Sequence, residues 1–327
     1  MDKGIITMRI MLIVSFWLMT GQAWSAENWY WKTSGQLLLK EYRGSAELEN
    51  LSGVGVFLSG DYLERGNITA GYYFNHSNYK TAGSTVPMDI DESVLFLSGR
   101  TNHHPDLLPG RLTLRLDAYY GNDEMRFLTT TTGSPMGGSS SKKTVSLSDK
   151  IVVVNPTVSF LNYQKSFYAD LGFAYSSYRS DVSGTDDIDI AQWTPTVGFG
   201  FNRAYDWLQL RGYFIDLSSS NRVADKDSTS ALEAKWTHWF SADAPLSLHS
   251  VRLTVLAGER LYAVDSDANA LANVSDLQTG AISLGAEWKL SEQTNLLLQG
   301  GSETYKSILL NDRYSSVYVY VYVSRNL

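Results

Sequence analysis

Cysteine is absent from the 327-residue sequence, and proline is scarce, with 7 residues. The lack of cysteine excludes a disulfide framework, a thiolate metal site and a cysteine nucleophile. No stretch after residue 25 approaches roughly 18 continuous apolar residues, so no membrane-spanning helix is predicted there. Positive charge is in deficit, with 27 Lys and Arg against 34 Asp and Glu. A nucleic-acid partner is therefore not expected, because phosphate binding relies on a clustered positive surface.

Aromatic residues and glycine are abundant instead, with 20 Tyr, 9 Trp and 26 Gly. Aromatic side chains suit a pleated, half-buried surface better than a helix. The composition therefore predicts an all-β protein.

The first 25 residues have the layout of a secretory signal peptide. Lys3 and Arg9 precede a short apolar run, and the small residues Ala23 and Ser25 fit the positions before a cleavage site. The run is too short for a bilayer core, which a helix crosses with about 20 residues. We therefore expect cleavage after Ser25. Cleavage there would remove one acidic and two basic residues, so the mature chain would carry 25 basic and 33 acidic residues, a net charge of −8.

Later segments alternate between apolar and polar residues, as a strand does when its two faces meet different environments. The clearest case is 111–120, where Leu112 and Leu116 point one way and Arg115 and Asp117 point the other. The same alternation recurs at 207–214, 232–237 and 282–289.

About 14 such segments, within a range of 12–16, predict a transmembrane antiparallel up-and-down β-barrel formed as a single domain by residues 26–327. The predicted strands are 30–42, 52–63, 66–79, 90–103, 110–122, 147–162, 166–178, 188–202, 205–217, 228–239, 246–262, 276–290, 293–306 and 313–324. Strands of about 12 residues suit a tilted bilayer crossing, whereas a soluble β-sandwich uses strands of about 5–6. Aromatic residues near the predicted strand ends match the girdles expected at membrane interfaces.

The predicted connections alternate between short turns and long polar loops, of which 123–146 is the longest. This parity places both termini at the short-turn rim, which in such barrels is periplasmic, with the long loops outside the cell. The Ser, Thr and Gly content of 123–146 favours a mobile external loop over one that folds into the lumen.

With these features, residues 28–327 resemble Gram-negative outer-membrane β-barrel proteins of the porin-like class, without matching a single family. The resemblance rests on the signal peptide, the alternating strands, the loop parity and the closing strand YSSVYVYVYVSRNL. The chain departs from the class at Leu327, where a terminal aromatic residue is usual. The resemblance implies an outer-membrane location, contact with outer-membrane lipid and lipopolysaccharide, and assembly with periplasmic chaperones and the barrel-assembly machinery.

If the leucine faces contact lipid, the opposite faces line the lumen. The predicted lining residues are Arg115, Asp117, Gln209, Arg211, Glu233, Lys235, Arg252, Glu287, Lys289 and Glu303, and Asp170 also falls on this face. Burying these charged groups without water or a partner costs much free energy, so they must be paired or hydrated. A barrel of about 14 strands has room for a narrow aqueous lumen.

This lining predicts a passive channel or export conduit for small or oligomeric polar solutes. In the alternative interpretation, salt bridges fill the interior of a non-conducting surface barrel, whose extracellular loops bind a partner or matrix polymer.

An outer-membrane hydrolase is a third hypothesis, suggested by His76 beside Ser77. Adjacent strand residues face opposite sides, so we predict no catalytic residue there. No cofactor is expected. The histidines lack metal-ligand spacing, and the calcium-like string 265–276 has Ala270 where such a loop needs Gly, so it is predicted to be a solvated loop without metal.

Overall fold

The computed structural model describes residues 28–63, 65–80, 88–131, 141–181, 186–218, 226–241, 245–265, 267, 270–271, 276–307 and 312–327. Residues 88, 127–131, 141–147 and 270–271 are described by their backbone alone. The predicted signal peptide, 1–25, lies outside the described residues. Within those ranges, no helix has the length and apolar character needed to span a bilayer.

Fourteen antiparallel strands of the described ranges close into a barrel, which confirms the predicted fold class and strand number. The barrel strands are β1 (Trp29–Arg43), β2 (Leu48–Tyr62), β3 (Gly66–Tyr79), β4 (Met88–His103), β5 (Gly110–Thr131), β6 (Ser141–Asn162), β7 (Phe167–Ser180), β8 (Ile188–Phe201), β9 (Asp206–Leu217), β10 (Ser228–Trp239), β11 (Leu248–Arg260), β14 (Leu277–Lys289), β15 (Thr294–Lys306) and β16 (Arg313–Asn326). Two further strands, β12 (Val264–Asp265) and β13 (Ala270–Leu271), form a separate hairpin in the connection between β11 and β14.

The barrel closes where the first strand meets the last. β1 pairs with β16 from Lys32 opposite Asn326 to Arg43 opposite Ser315. Because the number of strands is even, both ends of the barrel domain meet at one rim. We call it the terminal rim, and the opposite one the far rim.

The period-two alternation separates two environments. Leucines at outward positions are largely exposed on the isolated chain, with Leu116 at 53% and Leu284 at 63%. An apolar belt of this size is stable only against an apolar surrounding, as the lipid-facing band of a barrel is. The inward neighbours of these leucines, such as Asp117 and Ser283, are polar.

The prediction of a loop over 123–146 is wrong for most of its length. β5 continues to Thr131 and β6 begins at Ser141, with pairs from Asp123–Asp149 to Thr131–Ser141. The stretch 129–143 is mostly polar or glycine and offers no apolar alternation, and the short alternation of Met125 with Phe127 and of Val145 with Leu147 was not recognised as a strand signal. Residues 132–140 lie outside the described residues.

Candidate functional site

The connection between β11 and β14 enters the barrel interior. Its residues 261–264 are at most 8% exposed. They belong to one apolar cluster with inward side chains of β2 to β9, and the rings of Tyr178 and Tyr262 lie 5.2 Å apart. The wall members of this cluster include Phe96, Tyr119, Ile151, Val153, Ile188, Ile190 and Ile215. We call residues 261–265 and 267 the inward segment.

Hydrogen bonds fix the backbone of the inward segment to the wall. The buried Gln192 of β8 donates from Nε2 to the Val264 carbonyl at 2.9 Å, and its Oε1 accepts from the Val264 amide at 3.0 Å. These bonds satisfy both backbone groups of a residue that is 2% exposed. Unpaired groups there would cost about 1–3 kcal/mol each.

Ion pairs hold the end of the inward segment. Asp267 accepts a hydrogen bond from Arg211 Nη2 at 3.1 Å and a second from Lys235 Nζ. Arg211 also lies 3.9 Å from Asp265 and donates from Nε to Thr196 Oγ1 at 3.1 Å. Burial opposes ionisation of the Asp267 carboxyl, but the charges of Arg211 and Lys235 outweigh it and hold the pKa of Asp267 well below its usual range.

The predicted solvated loop, 265–276, starts beside the barrel wall, where Asp265 and Asp267 face Arg211 while the Asp267 side chain keeps 42% of its surface exposed. The signal that could have revealed this is the apolar string LYAV at 261–264, which directly precedes the acidic residues. An apolar run in a polar connection needs cover from water, and the barrel interior supplies it. Among the described residues, no group of three or more His, Cys, Asp or Glu side chains could hold a metal ion.

The structure places the sequence-predicted lining residues at inward positions of their strands, and three groups of them have partners. Arg211, Glu233 and Lys235 gather at the inward segment, where Lys235 lies 3.8 Å from Glu233. Arg115 and Asp117 pair with each other, and Glu303 pairs with Lys40, which was not predicted. Arg252, Glu287, Gln209, Lys289 and Asp170 share the inward alternation of their strands, and Glu287 accepts from Ser250 Oγ at 3.3 Å.

The Lys40–Glu303 pair joins the first strand to β15 across β16. Lys40 Nζ donates to Glu303 Oε2 at 2.6 Å, and both side chains are largely buried. Tyr305 and Ser316 donate to the same carboxylate oxygen. Sequence alternation assigned Glu303 to the inner face, but it could not find a partner 263 residues away.

The Arg115–Asp117 pair contains the most deeply buried carboxylate among the ion pairs of the described residues. Arg115 Nε donates to Asp117 Oδ1 at 2.7 Å, and the Asp117 side chain has no exposed surface. Asn155 Nδ2 donates to the second carboxylate oxygen at 3.4 Å. Removing one partner of such a pair leaves the other charge uncompensated.

We predict that Asp117→Ala lowers the free energy of unfolding by about 3 kcal/mol. A matched control is Asp61→Ala, because Asp61 also pairs with an arginine, Arg100 at 3.0 Å, but both side chains are more than 40% exposed. That change should cost less than about 1 kcal/mol. Urea unfolding of the refolded barrel measures both values, and equal losses would show that burial does not govern the Asp117 pair.

The hydrolase hypothesis finds little geometric support at its predicted residues. His76 lies on the outer face, whereas Ser77 lines the interior. His76 Nδ1 contacts Asp91 Oδ1 at 2.7 Å, and Nε2 faces Asn78 Oδ1 at 3.2 Å. The histidine and the adjacent serine therefore do not share one site.

A cavity of roughly 1080 Å³ lies inside the barrel beside the inward segment. Its lining reaches from Lys32 and Asp61 at the terminal rim to Glu47 and Asp149 at the far rim. One side is formed by β14 to β16 and β1 to β3, and the inward segment lies on the other side. The cavity therefore follows the barrel wall along its length.

No family model matches the sequence, and no curated protein is matched by it. Solved structures are similar in fold. A Pseudomonas aeruginosa FadL homologue is 9% identical, with 92% of this chain and 90% of that chain covered and a TM-score of 0.51. The P. putida toluene transporter TodX is 10% identical, with coverages of 93% and 91% and a TM-score of 0.52. At these identities the similarity concerns the fold, which is that of outer-membrane β-barrels.

Proposed function

We propose that this protein is a channel of the Gram-negative outer membrane that conducts small polar solutes past its own inward segment. The observation that carries this proposal is the cavity, whose lining reaches both rims and carries many charged side chains. A wall of paired and hydrated charges suits water-borne solutes, because desolvating such groups is costly. The proposed orientation has the terminal rim in the periplasm and the far rim outside the cell, as is usual for bacterial barrels.

The apolar patch inside the barrel does not argue for a hydrophobic cargo. Its inward side chains are covered by residues 261–264 of the same chain, and Val94, Ile151 and Ile188 have no exposed surface. TodX is described as a toluene transporter. In this chain, the cavity lining mixes charged and polar side chains with apolar ones, and its many charges support hydrated solutes instead.

The charge of the lining predicts a preference for cations. Among the described residues, the cavity lining carries eleven carboxylates: Glu47, Asp61, Glu92, Asp123, Asp149, Glu233, Asp265, Asp267, Asp276, Glu287 and Glu303. It carries six basic side chains: Lys32, Lys40, Arg100, Lys235, Arg252 and Arg260. A lumen with a surplus of one sign concentrates the opposite ions, and more strongly at low salt.

Planar-bilayer recording of the folded, signal-free protein tests this function. We expect discrete current steps and, in a potassium chloride gradient, a reversal potential of the sign that marks potassium as the more permeant ion. The preference should weaken as salt is raised, because screening shortens the range of the wall charges. Heat-denatured protein is the control, and a folded barrel that gives no current steps would refute the channel proposal.

A further inference from the structure

Three tyrosines form a row along the cavity wall. Tyr318, Tyr320 and Tyr322 occupy successive inward positions of β16, while valines occupy the outward positions between them. All three line the cavity and are partly exposed. Successive inward positions of a strand are about 7 Å apart, so the rings are regularly spaced along the direction of transit. We call this row the tyrosine ladder.

The neighbouring strands fix two of these rings. Tyr318 lies over Gly301 of β15, where a Cβ atom would come within 2.7 Å of the ring. Gln299 Nε2 donates to the Tyr318 hydroxyl at 3.1 Å, and the Tyr320 hydroxyl donates to Gln36 Oε1 at 3.0 Å. The rings of Tyr318 and Tyr320 are thus held in place before any solute arrives, which lowers the entropic cost of binding.

The surroundings of the ladder combine amides with charges of both signs, since Arg252 and Asp265 both act on Tyr320. Lys40 Nζ lies 5.8 Å from the centre of the Tyr318 ring, but its charge is paired with Glu303 at 2.6 Å. Gln36 and Gln299 are amides, and each offers both donors and an acceptor. A charged ligand would meet both attraction and repulsion there, whereas a hydroxyl-rich neutral ligand would find partners for both of its hydrogen-bonding roles.

We propose that the tyrosine ladder is a binding track for neutral oligosaccharides moving along the lumen. Sugar rings combine apolar C–H faces, which stack on aromatic rings, with hydroxyl groups, which bond to amides. A hydrocarbon would leave the amides unsatisfied, and a simple ion would make no use of the rings. This inference rests on the proposed channel function and names the class of its solute.

The test is the block of ion current by maltohexaose, added at roughly millimolar concentration to match the affinity of a transient site. The wild type should show sugar-dependent current interruptions. The triple variant Tyr318→Ala, Tyr320→Ala, Tyr322→Ala should lose about tenfold or more in blocking affinity. The triple Phe variant keeps the rings and should retain most of the block.

Two further controls separate the ladder from other causes. Polyethylene glycol of similar size has no sugar rings, so its effect on the current should not depend on the tyrosines. Heat-modifiable migration on gels verifies that each variant folds. An unchanged block in the Ala variant, or equal losses in the Ala and Phe variants, would overturn the ladder proposal.

Equilibrium binding of maltohexaose to the detergent-folded protein provides the same comparison without conductance. If the channel conducts but neither assay detects the sugar, the ladder proposal fails while the channel function stands. If no variant conducts but the sugar binds through the tyrosine rings, the ladder is supported as a binding site and the channel function fails. The two failures are therefore distinguishable.

Discussion

The double variant Asp265→Asn, Asp267→Asn is expected to release the inward segment and widen the conducting path. Both carboxylates face Arg211, and Asp267 also binds Lys235. Arg211 and Lys235 are largely buried, but the Asp267 side chain is 42% exposed, so the loss of these pairs should cost about 1–2 kcal/mol and shift an equilibrium between inward and released positions by roughly tenfold. Single-channel recording should show longer and larger openings than in the wild type.

The matched control is Asp181→Asn, Asp187→Asn, which removes two carboxylates from exposed ion pairs with Lys150 and Arg179 at the far rim, away from Arg211 and Lys235. It should leave the openings close to those of the wild type. The recordings should be made at neutral pH. The pKa of Asp267 is lowered in the folded protein, so its stabilising effect is complete above the ordinary pKa of an aspartate. That effect is lost only as the pH falls through the lowered pKa. Openings that are identical in both double variants would show that the segment does not narrow the path.

The second large effect is expected from Val255→Arg in the middle of β11. Val255 is an outward residue that is 40% exposed on the isolated chain and pairs with Ile282. An arginine at the bilayer midplane destabilises a barrel by about 2–4 kcal/mol. Urea unfolding of the protein in lipid vesicles should show that loss.

Its neighbour Thr254 provides the matched control. Thr254 points into the cavity and pairs with Ser283, so Thr254→Arg places the same side chain in a hydrated space. Its cost should be well below that of Val255→Arg. Equal costs for the two variants would mean that the outer face of β11 does not meet lipid, and the membrane-spanning interpretation would then be wrong.

The strands were predictable because period-two alternation is a local signal. In β14, for example, Ile282 and Leu284 alternate with Ser283 and Gly285, and this pattern alone assigns each side chain to one face. The same logic assigned Arg211, Lys235 and Glu303 to the interior. It failed for the outer part of the β5–β6 hairpin, because the stretch 129–143 is mostly polar or glycine and offers no apolar alternation.

The partners of the interior residues were not predictable from alternation. Lys40 and Glu303 belong to strands at opposite ends of the chain, and they meet only because β1 closes against β16. The tyrosine ladder is visible in the sequence as YVYVYV, but its amide neighbours Gln36 and Gln299 come from the strands on either side. Register across a closed sheet therefore creates the site.

The sequence by itself determined that this protein is an all-β barrel with a lipid-compatible outer face and a charged inner face, because those properties depend on residues two positions apart. Only the tertiary structure decided which connection enters the lumen. The string LYAV and the acids after it gain their burial and counter-charges from wall residues such as Gln192, Arg211 and Lys235, which lie far away in the chain. Contacts over such distances arise from barrel closure, and local periodicity does not encode them.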